Sequence, residues 1–319
     1  MGVYLLKRLL LFIPTLILAS IIIFTIIRVI PGDPAVAMLA GTGGEGQFTK
    51  EQLESLRESL GTNKSILSQY FAWVGDVFRG DLGTSFWNNV AVVDEIKSRF
   101  PVTFQLAVMS IIITFLISIP VGVATALKQD TWVDYIGKIF TVGGISMPTF
   151  WVGILIVYSL VRLFNWLPPL NYANLWEDPL TNLQQMIFPA IALGYHNTAF
   201  TARLTRSAML EVLREDYIRT ARSKGLRESI VVFRHGLKNA VLPVITVSGW
   251  QFGALLGGAI LIEIIFLVPG MGQLIVDSIE KRDYEVIQAV VMLSVVVVLT
   301  LNLIVDLLYG WLDPKVRYS

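Results

Sequence analysis

Side chains able to do covalent or metal chemistry are scarce in this 319-residue sequence, and their spacing excludes most reaction classes. There is no cysteine, so thiolate nucleophiles, disulfides and sulfur-ligated metals are excluded. The two histidines, His196 and His235, stand 39 residues apart without metal-like companions and read as polar packing or interface residues. No His-Glu-x-x-His, Gly-x-Ser-x-Gly or Gly-x-x-x-x-Gly-Lys-Ser/Thr pattern occurs, so zinc hydrolysis, triad chemistry and nucleotide binding find no residues here. No catalytic residue and no metal site is assigned. What remains is charge set against apolar surface: nine of the 25 basic residues lie between Arg203 and Lys238.

The elements that position this charge are membrane spans. Hydrophobic residues make up 54% and charged residues 15%, and the mean hydropathy is +0.65. A soluble chain carries about a quarter charged residues, so this one faces lipid. A net charge of +1 supplies no global field for nucleic acid. Crossing about 30 Å of hydrocarbon takes about 20 helical residues. Six stretches qualify: Leu9 to Ile30, Val102 to Leu127, Ile139 to Val161, Met186 to Ala202, Asn239 to Ile262 and Val286 to Val305. The fourth is short and carries Pro189, Gly194, His196 and Asn197. The first follows Lys7 and Arg8 but lacks a small-residue cleavage site, so it reads as a retained helix. With the N-terminus inside, 15 basic residues fall on the inner side and 10 on the outer, whereas 16 acidic residues fall outside and 7 inside. That asymmetry places both termini in the cytoplasm.

Two connections stand out. Residues 31–101 are too long for a turn. Thr49-x-x-Gln52 is a capping box before Leu53, Leu56 and Leu60, and Ile66, Tyr70, Val74 and Phe78 recur at intervals of four until Gly80-Asp-Leu-Gly83. The segment reads as a small helical cap outside the membrane. The inner segment 203–238 is the more informative. Met209, Leu213, Tyr217 and Ala221 recur every four residues while Arg214, Arg219, Arg222 and Lys224 surround them. Glu215 stands four residues before Arg219 in the favourable order. Gly225 sits where a helix reverses through a left-handed cap, with Leu226 placed to close it. A basic amphipathic helix on anionic lipid is the plainer reading. The narrow apolar face and the turn tethered to two spans favour docking onto a partner.

Asp216-Tyr-Ile-Arg-Thr-Ala-Arg-Ser-Lys-Gly225, followed by Phe233-Arg-His-Gly-Leu-Lys-Asn-Ala-Val-Leu-Pro243, resembles the cytoplasmic loop of binding-protein-dependent ABC importer permeases, and more narrowly their dipeptide and oligopeptide branch. That family's pattern reads Glu-Ala-Ala, three residues, Gly, then a hydrophobic-x-Leu-Pro ending. Arg219, Thr220 and Ala221 occupy the first three places, two of them departing; Gly225 matches and Leu242-Pro243 closes the motif. Arg28-Val-Ile-Pro-Gly-Asp-Pro34, Gly80-Asp-Leu-Gly-Thr-Ser85, Ser146-Met-Pro-Thr-Phe-Trp-Val-Gly153 and Leu312-Asp-Pro-Lys-Val-Arg317 resemble further segments of the same branch. The resemblance implies an all-α integral membrane protein with six transmembrane helices in the type I importer permease fold. Residues 1–30 would form the first span, 31–101 the cap, 102–312 the permease core and 313–319 a cytoplasmic tail. It further implies a bacterial or archaeal inner-membrane location, pairing with a second permease, two ATPase subunits that hold ATP and magnesium, and an extracytoplasmic substrate-binding protein. Dipeptides, oligopeptides, nickel chelates and oligosaccharides are the substrates such a branch implies.

Under that resemblance Met209, Leu213, Tyr217 and Ala221 are the packed coupling face, Arg219 and Arg222 its rim ion partners, and Gly225 its turn. Gly249, Gly253 and Gly257, followed by Gly258, align small residues on one face of span five for close helix packing or for lining the path. Ser146 and Pro148, with Gly143 and Gly144, weaken span three and mark a gate candidate. Asp306 is an ionisable group inside a span, and pairing with Arg203 or Arg206 accounts for it better than titration does. A secondary transporter or channel is the alternative. It would need inverted repeats and ionisable groups near the midplane, whereas Arg28 and Asp306 lie near span ends.

Overall fold

The computed structural model describes residues 2–29, 33–40, 48–257 and 259–312. In chain order the helices are α1 (Gly2–Val29), α2 (Pro34–Ala40), α3 (Lys50–Ser59), α4 (Ile66–Phe78), α5 (Val92–Leu127), α6 (Trp132–Ser146), α7 (Thr149–Phe164) and α8 (Pro179–Val212). They continue with α9 (Asp216–Ser223), α10 (Glu228–Ile230), a π-helical turn (Val231–Leu237), α11 (Lys238–Gly257), α12 (Ile260–Ile265), α13 (Met271–Lys281) and α14 (Tyr284–Leu312). Among the described residues the β structure is one isolated bridge, Thr84 to Ala91. Two bodies divide these elements: residues 103–268 with 300–312, and residues 2–102 with 269–299.

In the body that holds α1 to α4, Val92, Met271, Leu274, Val286, Ala289 and Val290 form one apolar core. Ile23 and Ile27 of α1 pack with Tyr284 and Ile287 in a second. The Gly80-to-Ser85 segment turns through positive φ at Gly80 and Gly83 (81° and 83°). It is then pinned where Ser85 Oγ donates to Asp283 Oδ2 at 2.6 Å and the Phe86 N–H donates to the same oxygen at 3.2 Å. The capping box of α3 forms in both directions: Gln52 N–H donates to Thr49 Oγ1 at 3.2 Å, and Thr49 N–H donates to Gln52 Oε1 at 2.8 Å. α4 occupies the expected residues, but its packed side differs from the fourfold series. Tyr70 and Trp73 meet Phe24, whereas Ile66 and Phe78 are exposed.

In the other body α8 is the central helix, packed by α6, α7 and α11. It buries Ala190, Ala192, Gly194, Thr198, Ala199, Thr201, Ala202 and Thr205, small side chains that let neighbouring helices approach closely. At Gly144 of α6 an added Cβ would come within 2.6 Å of the Ala199 Cβ. Two buried amides near the start of α8 are satisfied by protein: Asn182 bonds with Gln105 and donates to the Ala173 carbonyl at 2.9 Å, and Gln185 donates to the carbonyls of Pro169 and Asn171 at 2.8 and 2.6 Å.

Four helical stretches among the described residues are long and apolar enough to cross a membrane, in α1, α5, the run through α11, and α14. A fifth appears if α6 and α7 count as one broken span. The predicted fourth span lies in α8, which has the length at 34 residues but falls short in hydropathy because its faces meet helices instead of lipid. The predicted third span is not one helix. α6 and α7 meet at 105°, because Pro148 has no N–H to continue α6 and holds the preceding Met147 in an extended conformation (ψ 126°). Span five ends as a helix at Gly257, and α12 follows as a separate turn that buries Glu263, which accepts a hydrogen bond from Thr103 Oγ1 at 2.8 Å. Gly258, the tail 313–319 and the side chain of Asp306 lie outside the described residues.

Candidate functional site

The basic inner segment folds into a helix, a forced turn and a π-helical return between α8 and α11. α8 does not run on through the apolar series. It stops at Val212, and Asp216 opens α9 after a three-residue break. This break shifts the helical phase, so the buried pair on α9 is Ile218 with Ala221, not Tyr217 with Ala221. Ile218, Ala221 and Val231 form a small core against the half-buried Leu213. Met209 is fully buried in a second cluster with Ala208, Val232, Ala240, Val123 and Ala126. Leu213 touches both clusters and joins the short helix to the base of α8.

Tyr217 is 42% exposed. Its hydroxyl accepts a hydrogen bond from Asn239 Nδ2 at 2.8 Å, and the same amide donates to the His235 carbonyl at 3.0 Å. The ring therefore stands on the outer surface of the element, tied to the first turn of α11. Thr220 is exposed and donates to the Asp216 carbonyl at 3.0 Å. Arg219 lies 3.4 Å from Asp216, three residues back, so the expected Glu215 pairing does not form. Arg222 is bound within the chain: its guanidinium donates to both Glu228 oxygens at 3.2 and 2.7 Å, closing the turn between α9 and α10. The Glu228 carboxylate holds the Arg222 guanidinium above its already high ordinary pKa. Its charge is thus partly spent at home.

Gly225 has φ of +73°. Its N–H donates to the Arg222 carbonyl at 2.9 Å, and the Leu226 N–H donates to the Ala221 carbonyl at 3.4 Å. These two bonds make a Schellman ending, which satisfies the last carbonyls of α9 and reverses the chain. A Cβ at Gly225 would meet nothing within 4 Å, so the requirement for glycine is conformational. After the turn, Val231, Val232 and Gly236 of the π-helical segment are buried, and a Cβ added at Gly236 would lie 3.4 Å from Met209 Cε. The wider turn carries the return under α8 before α11 begins. Leu242 and Pro243 lie inside α11, the former half-buried and the latter exposed, and not at the start of the span.

A charge cluster that the sequence spacing did not reveal braces the base of this element. Asp134 of α6 is fully buried and receives Arg206 Nε at 2.8 Å and Arg206 Nη2 at 2.9 Å. Lys138 Nζ lies 3.0 Å away, and the Asp130 N–H donates at 3.1 Å. Arg206 is therefore committed to α6. No motif marks this pair; the signal available was Asp134 standing four residues before Lys138 on the inner side.

The path candidates separate. Ser146 and Pro148 are exposed at the α6–α7 break. Gly249 faces Val305 of α14 so closely that a Cβ would overlap it, and Gly253 is buried. Gly257 is exposed, and a Cβ added there would meet nothing within 4 Å. The glycine series thus serves internal packing at one end and open surface at the other.

A family model described as "Binding-protein-dependent transport system inner membrane component" matches residues 118–318. A second, "Binding-prot-dependent transport system membrane comp, N-term", matches residues 1–107. The dipeptide transport system permease protein DppB of Alkalihalophilus pseudofirmus is 39% identical, with all of both chains covered. The glutathione transport system permease protein GsiC of Pectobacterium atrosepticum is 40% identical over 99% of each. A crystal structure of an amino acid ABC transporter with histidines shares the fold, with a TM-score of 0.53 and 15% identity over 68% of this chain and 94% of that one. The first model spans more than half of the sequence, and the chain therefore belongs to the family of binding-protein-dependent transport system inner membrane components, multi-pass permeases of ATP-driven importers that are not themselves enzymes.

Proposed function

We propose that the chain forms one half of the translocation path of an importer for small peptides, and that α9 with its turn receives the motion of an ATPase subunit. The observation that carries the coupling role is the asymmetry of α9. Ile218 and Ala221 anchor it to the base of α8, while Tyr217, Arg219 and Thr220 stand outward on an eight-residue helix. Such an element moves as a unit with α8 and α11, because Leu213 and Met209 bind it to both. A force applied at Tyr217 then reaches two spans at once.

The likeness to permeases named for dipeptide and for glutathione, itself a tripeptide, supports a peptide of two or a few residues as the substrate. A second permease, two ATPase subunits carrying ATP and magnesium, and an extracytoplasmic binding protein complete the assembly. The basic bias of segment 203–238 supports a cytoplasmic position for α9 and for both termini. Because the chain has no native cysteine, the docking reading is open to direct test. Tyr217→Cys in the assembled importer should form an intermolecular crosslink to an ATPase subunit carrying surface cysteines. A crosslink from Trp132→Cys on α6 with none from Tyr217→Cys would contradict it.

A further inference from the structure

The helix α4 leaves Leu67, Phe71 and Phe78 at 71%, 69% and 87% exposure and buries none of its residues fully. Its contacts fix how deep it sits against α1. Phe24 of α1 meets the Tyr70 ring edge-on at 5.4 Å and stacks on Trp73 at 6.0 Å. The hydroxyls of Ser20 and Tyr70 are 2.8 Å apart, and Arg28 Nε donates to Gln69 Oε1 at 2.9 Å. The apolar stretch Leu10–Val29 of α1 is one of the candidate spans. Phe24 precedes its end by five residues, so α4 crosses α1 about 7–8 Å inside that end, at about 1.5 Å per residue. The Tyr70 hydroxyl reaches Ser20, about 13 Å inside.

A water-exposed position for α4 would bring water along α1 beside its exposed Ile17, Ile21 and Ile22, so the crossing point favours lipid around α4. The sides of α4 agree. At 100° per residue Leu67, Phe71, Val74 and Phe78 share one arc that continues into the Tyr70 and Trp73 contact with α1. Gln69, Ala72 and Asp76 occupy the opposite edge, which borders a polar cavity of about 460 Å³ lined also by Arg28, Asp81 and Glu285. Lys64 and Arg79 stand exposed just outside the two ends, where long basic side chains reach headgroup phosphates.

We infer that α4 is an interfacial helix that lies in the membrane leaflet on its own side, with Leu67, Phe71 and Phe78 among phospholipid acyl chains and the Gln69–Asp76 edge facing water. The segment between α1 and α5 is then only partly an external cap. Lipid is the occupant because the exposed arc is continuous with the apolar surface of a spanning helix.

The assembled importer tests this in phosphatidylethanolamine and phosphatidylglycerol vesicles. Nitroxides on single cysteines at Phe71→Cys, Phe78→Cys, Asp76→Cys and Glu51→Cys are compared for collision with oxygen and with a water-soluble nickel chelate. The oxygen-to-nickel ratio at 71 and 78 is expected to exceed that at 76 and 51 by about threefold or more, as for side chains buried several ångströms below the headgroups. Ratios at 71 and 78 equal to that at 51 would place α4 in water, and exclusion of both reagents there would mean a protein partner covers it; either overturns the inference. The unmodified chain supplies a second measurement. Phospholipids with an acyl-chain diazirine should leave photoadducts within residues 67–78, and labelling of α1 without any on α4 would likewise overturn it.

Discussion

The guanidinium of Arg206 grips the fully buried carboxylate of Asp134 through two parallel hydrogen bonds, tying α6 to α8 six residues before α8 ends. Removing one partner of such a pair leaves a buried charge with incomplete compensation, which costs about 3–5 kcal/mol. Arg206→Leu should therefore lower the thermal midpoint in detergent more than the double variant Asp134→Leu with Arg206→Leu does. Equal midpoints would show that the pair is not buried in the assembled importer.

Ile218 and Tyr217 are neighbours in sequence with opposite duties. Ile218→Ala opens a cavity under α9, at a cost of about 2–4 kcal/mol, and hydrogen exchange over residues 216–223 should rise. Tyr217→Ala should leave that exchange near the wild-type level and instead reduce co-purification of the ATPase subunits. Tyr217→Phe loses only the hydrogen bond from Asn239, worth about 1 kcal/mol.

Arg222 and Glu228 are 43% and 58% exposed. Exposed pairs contribute about 0–1 kcal/mol, so Arg222→Ala should leave thermal stability nearly unchanged. A marked, salt-sensitive loss of ATPase association in that variant would then report an intermolecular contact. Association indifferent to the substitution would confine Arg222 to its own turn.

Gly144 and Gly257 make a contrasting pair. A Cβ at Gly144 runs into Ala199, whereas one at Gly257 meets nothing within 4 Å. Gly144→Val should destabilise by about 1–3 kcal/mol through forced separation of α6 and α8, and Gly257→Ala should be nearly neutral. Comparing the two midpoints checks whether the close approach governs assembly of the core.

Much of this architecture is legible in residue types. The capping box at Thr49 and Gln52, the turn at Gly225 and the lipid-facing helices α1, α5 and α14 each announce themselves locally. The central helix α8 is harder to read, because Asn182 and Gln185 are acceptable there only through contacts with other elements. The phase of α9 departs from the fourfold series for a related reason. A break at Leu213–Glu215 resets the helical count, and no proline or glycine marks it. The Asp134–Arg206 pair stays hidden in the sequence because its members lie 72 residues apart, and the carboxylate is buried by long-range packing.

Passage of motion between the ATPase subunits and the spans through α9 and its Gly225 turn can be read from ATP hydrolysis by the importer in vesicles, with and without ligand-loaded binding protein. Gly225→Asn, which tolerates positive φ, should retain most of the stimulation, and Gly225→Ala less. Gly225→Pro, which cannot adopt positive φ and loses the N–H bonded to Arg222, should assemble yet show no stimulation. Full stimulation in Gly225→Pro would contradict a coupling role for the turn.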